Sequence, residues 1–161
     1  QFTDTLNAFA LLISTDIFDR QKAIDLFYKR WSDQDLALDY WFQCQASSLH
    51  SNTLENVLRL ANHKDYKRSN PNRVRSLAIS FCRGNYTYFH RTDGSGYRFC
   101  ASECLLLDKS NPQLSAALAK SFTSFYKLDD HRKSIMKKVL QDLKKETTSR
   151  DLYEVLESIK I

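Results

Sequence analysis

Ser69-Asn70-Pro71-Asn72-Arg73-Val74-Arg75-Ser76-Leu77 is the stretch whose reading decides the fold. Asn70 reads as a helix N-cap and Pro71 as the first helical residue. The Asn side chain can accept from a free backbone N–H, and proline has no N–H to leave unpaired there. Val74, Leu77, Ala78 and Phe81 follow at i, i+3, i+4 and i+7, which predicts one apolar helix face. Arg75, Ala78, Ile79 and Cys82 make a second stripe beside it, so the helix is expected to be mostly buried. Arg73 and Arg75 sit in its first turns, where cations oppose the macrodipole. That placement calls for a nearby anion, either an internal Asp or Glu or a ligand. Gly84-Asn85 is read as the end of this helix through a left-handed glycine cap.

Working outward, apolar periodicity continues almost without a break. Leu6, Phe9, Ala10 and Ile13 predict a first helix, and Ile24, Phe27, Tyr28 and Trp31 a second entered through Asp19. Ser32-Asp33 is expected to cap a third carrying Leu38, Trp41 and Phe42. Ser51-Asn52-Thr53 opens a fourth with Leu54, Val57, Leu58 and Ala61 inside. Residues 86–90 give at most one helical turn, and Asp93-Gly94-Ser95-Gly96 reads as a turn plus helix start. Tyr97, Cys100, Ala101, Cys104 and Leu105 then share a face. Asn111-Pro112 repeats the Asn-Pro start ahead of Leu114, Ala117 and Leu118. Asp129-Asp130 opens a helix with Met136, Val139, Leu140 and Leu143, and 149–151 open the last, with Leu152, Val155, Leu156 and Ile159.

Roughly nine helices result. The two Asn-Pro starts lie 41 residues apart, the size of an armadillo- or HEAT-like helical pair. Such a pair cannot bury its own apolar face and stacks on the next. The expected fold is therefore all-α: antiparallel helical pairs stacked into an armadillo/HEAT-like superhelix, with residues 1–161 as a single all-helical domain.

Three glycines and two prolines in 161 residues fit long helices, and 42% hydrophobic content excludes a disordered chain. No apolar run reaches the roughly 18–20 residues that span a bilayer. The opening Gln1-Phe2-Thr3-Asp4 has no basic n-region, so no signal peptide is expected, and Gln1 reads as internal to something longer. A net charge of +5 fits a solvated surface of mixed sign.

No catalytic arrangement is legible. His50, His63, His90 and His131 are scattered, and none starts a His-Glu-x-x-His zinc motif. Cys44, Cys82, Cys100 and Cys104 form no C-x-x-C pair and read as small buried apolar residues. Asp129-Asp130 reads as a cap rather than an acid/base pair, and Tyr40-Trp41-Phe42 as core. Arg73 and Arg75 are the binding candidates. For each, the competing reading is a salt bridge between adjacent helices.

Asn70-Pro71-Asn72-Arg73-Val74-Arg75-Ser76-Leu77, Phe89-His90, Asp93-Gly94-Ser95-Gly96-Tyr97 and Asn111-Pro112-Gln113 resemble the C-terminal helical domain of bacterial aminopeptidase N (alanyl aminopeptidase), a zinc metallopeptidase family. Tyr40-Trp41-Phe42, Gln45-Ala46 and Asp151-Leu152-Tyr153-Glu154 fit the same pattern, so the likeness runs from about residue 26 to 161. The resemblance implies a cytoplasmic parent enzyme that removes N-terminal residues from peptides. Its zinc and its His-Glu-x-x-His helix would lie in an earlier domain, leaving no metal, cofactor or catalytic residue in this fragment. The fragment would enclose the active-site chamber and help position substrate, its partners being the catalytic domain and the peptide. Arg75 falls where relatives place a chamber-facing arginine, with Arg73 beside it. A second such arginine of some relatives would fall at Ala117, so the resemblance does not carry a two-arginine clamp over to this chain. No membrane or nucleic-acid partner is implied. The alternative reading is a helical-repeat scaffold for an acidic partner or nucleic acid, resting on Lys64, Lys67, Arg68, Arg73 and Arg75.

Overall fold

A computed structural model describes residues 2–14 and 19–161; the opening Gln1, read above as internal, lies outside them. The described residues are helix and connection, with no strand. In order they form α1 (Phe2–Ile13), α2 (Arg20–Trp31), α3 (Asp35–Ala46), α4 (Thr53–Leu60), α5 (Pro71–Val74), a π-helical segment (Arg75–Gly84), α6 (Tyr86–Phe89), α7 (Ser95–Asp108), α8 (Pro112–Ala119), a 3-10 segment (Lys120–Lys127), α9 (Asp130–Glu146) and α10 (Arg150–Ser158). The chain divides into two compact units. The first joins residues 1–67 with 72–85, and the second joins 68–71 with 86–161.

In the first unit, α2 packs on α1 and α3, and α3 packs on α4 and the π-helical segment. The core comes from the positions the periodicity marks. Phe9, Ile24, Phe27, Leu38, Trp41, Phe42, Leu54, Val57, Val74, Leu77 and Phe81 are all buried. Phe9 stacks on Phe27 with ring centroids 4.3 Å apart, and Trp41 meets Phe42 edge-on at 5.0 Å. The fourth helix departs from expectation at Leu58, which is exposed. Its neighbours Val57 and Leu60 already fill the buried face.

Where a regular α-helix was expected from Asn70 onward, only the first turn is α. From Arg75 the backbone bonds i to i+5. The wider turn keeps Val74, Leu77, Ala78, Phe81 and Cys82 buried but turns Arg75 out to solvent and leaves Ile79 half-buried. The helix also does not end through a left-handed Gly84, because Gly94 alone among the described residues has a positive φ. Asn85 stops it instead. Its buried Nδ2 donates to the carbonyls of Ala46 at 2.9 Å and Ser48 at 2.8 Å, drawing the chain onto the end of α3.

In the second unit, α7 is the centre, packed by α6, α8 and α9, while α10 packs on α8. Tyr97, Cys100, Cys104, Leu107, Leu118, Phe122, Met136 and Leu143 are buried around it. The glycines at the head of α7 are required by geometry. Gly94 holds φ 76°, and a Cβ on Gly96 would stand 2.1 Å from the Phe89 carbonyl oxygen. Cys100 and Cys104 are fully buried, and burial pushes the Cys104 thiol well above its usual value. They behave as packing residues.

Four of the expected caps are made by side chains. Asp19 accepts from Lys22 N, Asn111 from Leu114 N, Asp129 from Arg132 N and Ser149 from Leu152 N. The expected Ser32-Asp33 cap is absent: α3 starts at Asp35 behind an extended Gln34 with no side-chain cap. The 3-10 stretch between α8 and α9 had no clear counterpart in the sequence pattern.

Candidate functional site

Arg73 and Arg75 are two residues apart, and the structure gives them opposite surroundings. Arg73 is buried at 3% exposure. Its Nε donates to Asp39 Oδ1 at 2.6 Å, its Nη1 donates to the Asp65 carbonyl, and its guanidinium lies 5.5 Å from the Phe42 ring centre. Asp35 approaches Nη2 at 3.5 Å from an exposed position, where screening leaves such a pair little value. Asp35 and Asp39 lie one turn apart on α3, so the cation is met by two carboxylates of one helix face.

Arg75 is exposed. Its Nη1 donates to Asn72 Oδ1 at 3.2 Å, and its own carbonyl accepts from Ser80 Oγ at 3.0 Å across the π-helical turn. It lines an open pocket of about 380 Å³ between α3 and the π-helical segment, with Leu36, Asp39, Gln43, Asn72, Ser76 and Ser80. Asp39 is taken up by Arg73, which leaves Arg75 as the uncompensated charge of this lining. The pocket therefore presents a cation among hydroxyl and amide groups, a set suited to a carboxylate. Sequence reasoning picked out both arginines but missed the α3 wall. The Asp35–Asp39 spacing was the available signal, since two carboxylates at i, i+4 repel unless a cation lies between them.

The other chemistry-bearing residues do not converge. His50 bonds Asn52, the half-buried His63 sits among Tyr28, Trp41 and Phe42, and His131 bonds the Thr92 carbonyl. His90 is buried with its Nδ1 2.7 Å from the Tyr97 hydroxyl, while Arg132 Nε donates to the His90 carbonyl. Burial, and next the Arg132 charge, lower the His90 pKa. Among the described residues no three His, Cys, Asp or Glu side chains group as a metal site. No described helix is long and apolar enough to cross a membrane. The basic cluster behind the scaffold reading loses two of its five charges to internal carboxylates. Arg73 goes to Asp39, and Arg68 pairs through two bonds, at 2.5 and 3.2 Å, with the buried Glu103.

Known proteins resemble the chain over nearly its whole length. It is 36% identical to an aminopeptidase N of Haemophilus influenzae over 156 residues, which is 96% of this chain and 18% of that protein. It is 35% identical to the Escherichia coli aminopeptidase N over 153 residues, 94% of this chain and 18% of the relative. A crystal structure of Legionella pneumophila aminopeptidase A in complex with aspartic acid superposes with a TM-score of 0.91 at 32% identity, covering 98% of this chain and 18% of that one. The chain thus spans less than a fifth of the length of these relatives. The model of one family, described as Domain of unknown function (DUF3458_C) ARM repeats, matches residues 1–160, and the chain belongs to that family.

Proposed function

We propose that this chain is the C-terminal helical domain of a cytoplasmic, zinc-dependent aminopeptidase that removes N-terminal residues from peptides. The observation that carries this reading is the alignment of 96% of the chain with 18% of an aminopeptidase N at 36% identity. The donor set here does not fit zinc, since no suitable group of side chains exists among the described residues. The metal and the bond-breaking step belong to the rest of the parent polypeptide. The part of this chain is to enclose the active-site chamber and position the peptide. In this role residues 1–161 act as one domain.

Within it, Arg75 is the residue that meets substrate. It is exposed, lines an open pocket and lacks a carboxylate partner among the described residues. Arg73 positions it, by holding the π-helical segment to α3 through Asp39. A peptide offers a free carboxylate that an aminoacyl anilide lacks. A charge-assisted hydrogen bond contributes about 1.5–3 kcal/mol, discounted to about 1–2 kcal/mol in an open, wet pocket. Arg75→Ala in the parent enzyme should therefore lower kcat/KM for short peptides by about 5- to 30-fold. Aminoacyl anilides should change much less. Equal loss on both substrates with a lower Tm would make Arg75 a structural tie and refute its substrate role.

A further inference from the structure

A different pocket of the first unit, about 270 Å³, opens among α2, α3 and α4, and its lining shares no residue with that of Arg75. Beneath it runs a chain of side-chain hydrogen bonds. Gln45 Nε2 donates to the Trp41 carbonyl at 3.1 Å, Asn56 Nδ2 donates to Gln45 Oε1 at 3.0 Å, and Arg59 Nη2 donates to Asn56 Oδ1 at 2.8 Å. Gln45 and Asn56 are 1% and 5% exposed. Buried amides are costly unless bonded. These two are bonded in a sequence whose last member is the guanidinium of an exposed arginine at the pocket. Arg59 makes no ion pair among the described residues, so the relay fixes a cation that has no anion.

Asp25 lines the same pocket, and among the described residues its carboxylate accepts only from Gln21 Nε2, at 2.8 Å. Asp25 and Arg59 do not pair with one another, although both face one opening. Ile24, Leu60 and the Trp41 indole supply apolar lining, and the indole N–H is already engaged by the Ile24 carbonyl at 3.0 Å. The volume lies below the roughly 300–1,000 Å³ typical of drug-sized ligands. The pocket thus offers a fixed cation, a separate anion and an apolar wall in a space suited to a ligand of one residue.

We propose that this pocket binds a free α-amino acid with an apolar side chain. The carboxylate lies on Arg59, the ammonium on Asp25, and the side chain against Ile24, Leu60 and Trp41. The test uses the full-length parent polypeptide labelled with 5-fluorotryptophan, with the Trp41 resonance assigned through Trp41→Phe. This local reporter separates the pocket from any amino-acid binding at the catalytic centre. L-leucine should shift the Trp41 resonance saturably, with a Kd on the order of 1–10 mM. L-leucinamide lacks the carboxylate and N-acetyl-L-leucine lacks the ammonium, so each should bind about tenfold more weakly. Arg59→Gln and Asp25→Asn should each weaken leucine about tenfold, while the surface change Arg83→Gln leaves it unaltered. Absence of a saturable shift, equal shifts from all three ligands, or unchanged leucine binding in both pocket variants would overturn the assignment.

Discussion

The two units bury charges of opposite sign for the same kind of work. In the first, the ion that holds a loop is a cation: Arg73 bonds the Asp65 carbonyl of the connection after α4 and the Asp39 carboxylate on α3. In the second, the ion that holds a loop is an anion: Asp108, 3% exposed at the end of α7, accepts at Oδ2 from Thr148 N at 2.7 Å, Thr148 Oγ1 at 2.9 Å and Ser149 N at 3.3 Å. A loop that turns a carbonyl inward needs a donor, and one that turns amides inward needs an acceptor. For Arg73 and Asp108, the sign of the charge therefore follows from the polarity of the loop it holds. Burial raises the Asp108 pKa, but bonds from Ser149 and Thr148 outweigh it and leave the group below the usual carboxylate range.

Removing each ion tests the contrast. Arg73→Ala strands the nearly buried Asp39 carboxylate and the Asp65 carbonyl. Breaking a buried pair from one side costs about 3–5 kcal/mol, so the urea midpoint should fall by the largest amount of any change considered. An unchanged midpoint would show that water replaces the guanidinium. Asp108→Ala leaves inward-turned amides unpaired at about 1–3 kcal/mol, and amide exchange should speed up first at Thr148 and Ser149. Uniform protection across the loop would break the parallel with Arg73. Asn111→Ala removes only the α8 cap and should cost about 1 kcal/mol, read in a thermal melt. A loss as large as that of Arg73→Ala would mean that local caps matter as much as buried ions.

The subtlest effect is on pH. His90 is buried against Tyr97 and near Arg132, with its pKa lowered, so the fold favours the neutral ring. The unfolded chain then gains its proton first, near 6.5. The stability contributed by His90 is full above that value and is lost as pH falls through the lower folded pKa. His63 moves the same way, because burial outweighs the attraction of Asp65. His90→Gln should narrow the Tm difference between about pH 7.5 and about pH 5 without abolishing it, since His63 still titrates. An unchanged difference would assign the acid sensitivity elsewhere in the fold.

What the sequence reveals, and what it hides, follows the range of the interactions. Asp19, Asn111, Asp129 and Ser149 are caps whose partners lie three residues away, and all four were legible. The helix start at Pro71 was legible as well, since proline fits a first helical turn. The π-helical continuation was not, because the same apolar spacing fits either winding and packing against α3 is a tertiary matter. Asp39 lies 34 residues from Arg73 and Asn85 lies 39 from Ala46, so neither partner can be assigned from local pattern. The demand of Arg73 for an anion could be read, while the identity of that anion could not.

Gly96 carries a consequence for the spectrum of tolerated mutations. Even the smallest side chain would place its Cβ 2.1 Å from the Phe89 oxygen and 2.8 Å from the Phe89 carbonyl carbon and Cα, all of it backbone that cannot swing aside. Gly84 meets nothing within 4 Å. In a saturation library selected for folded protein, position 84 should accept alanine, whereas position 96 should return one codon family and nothing else.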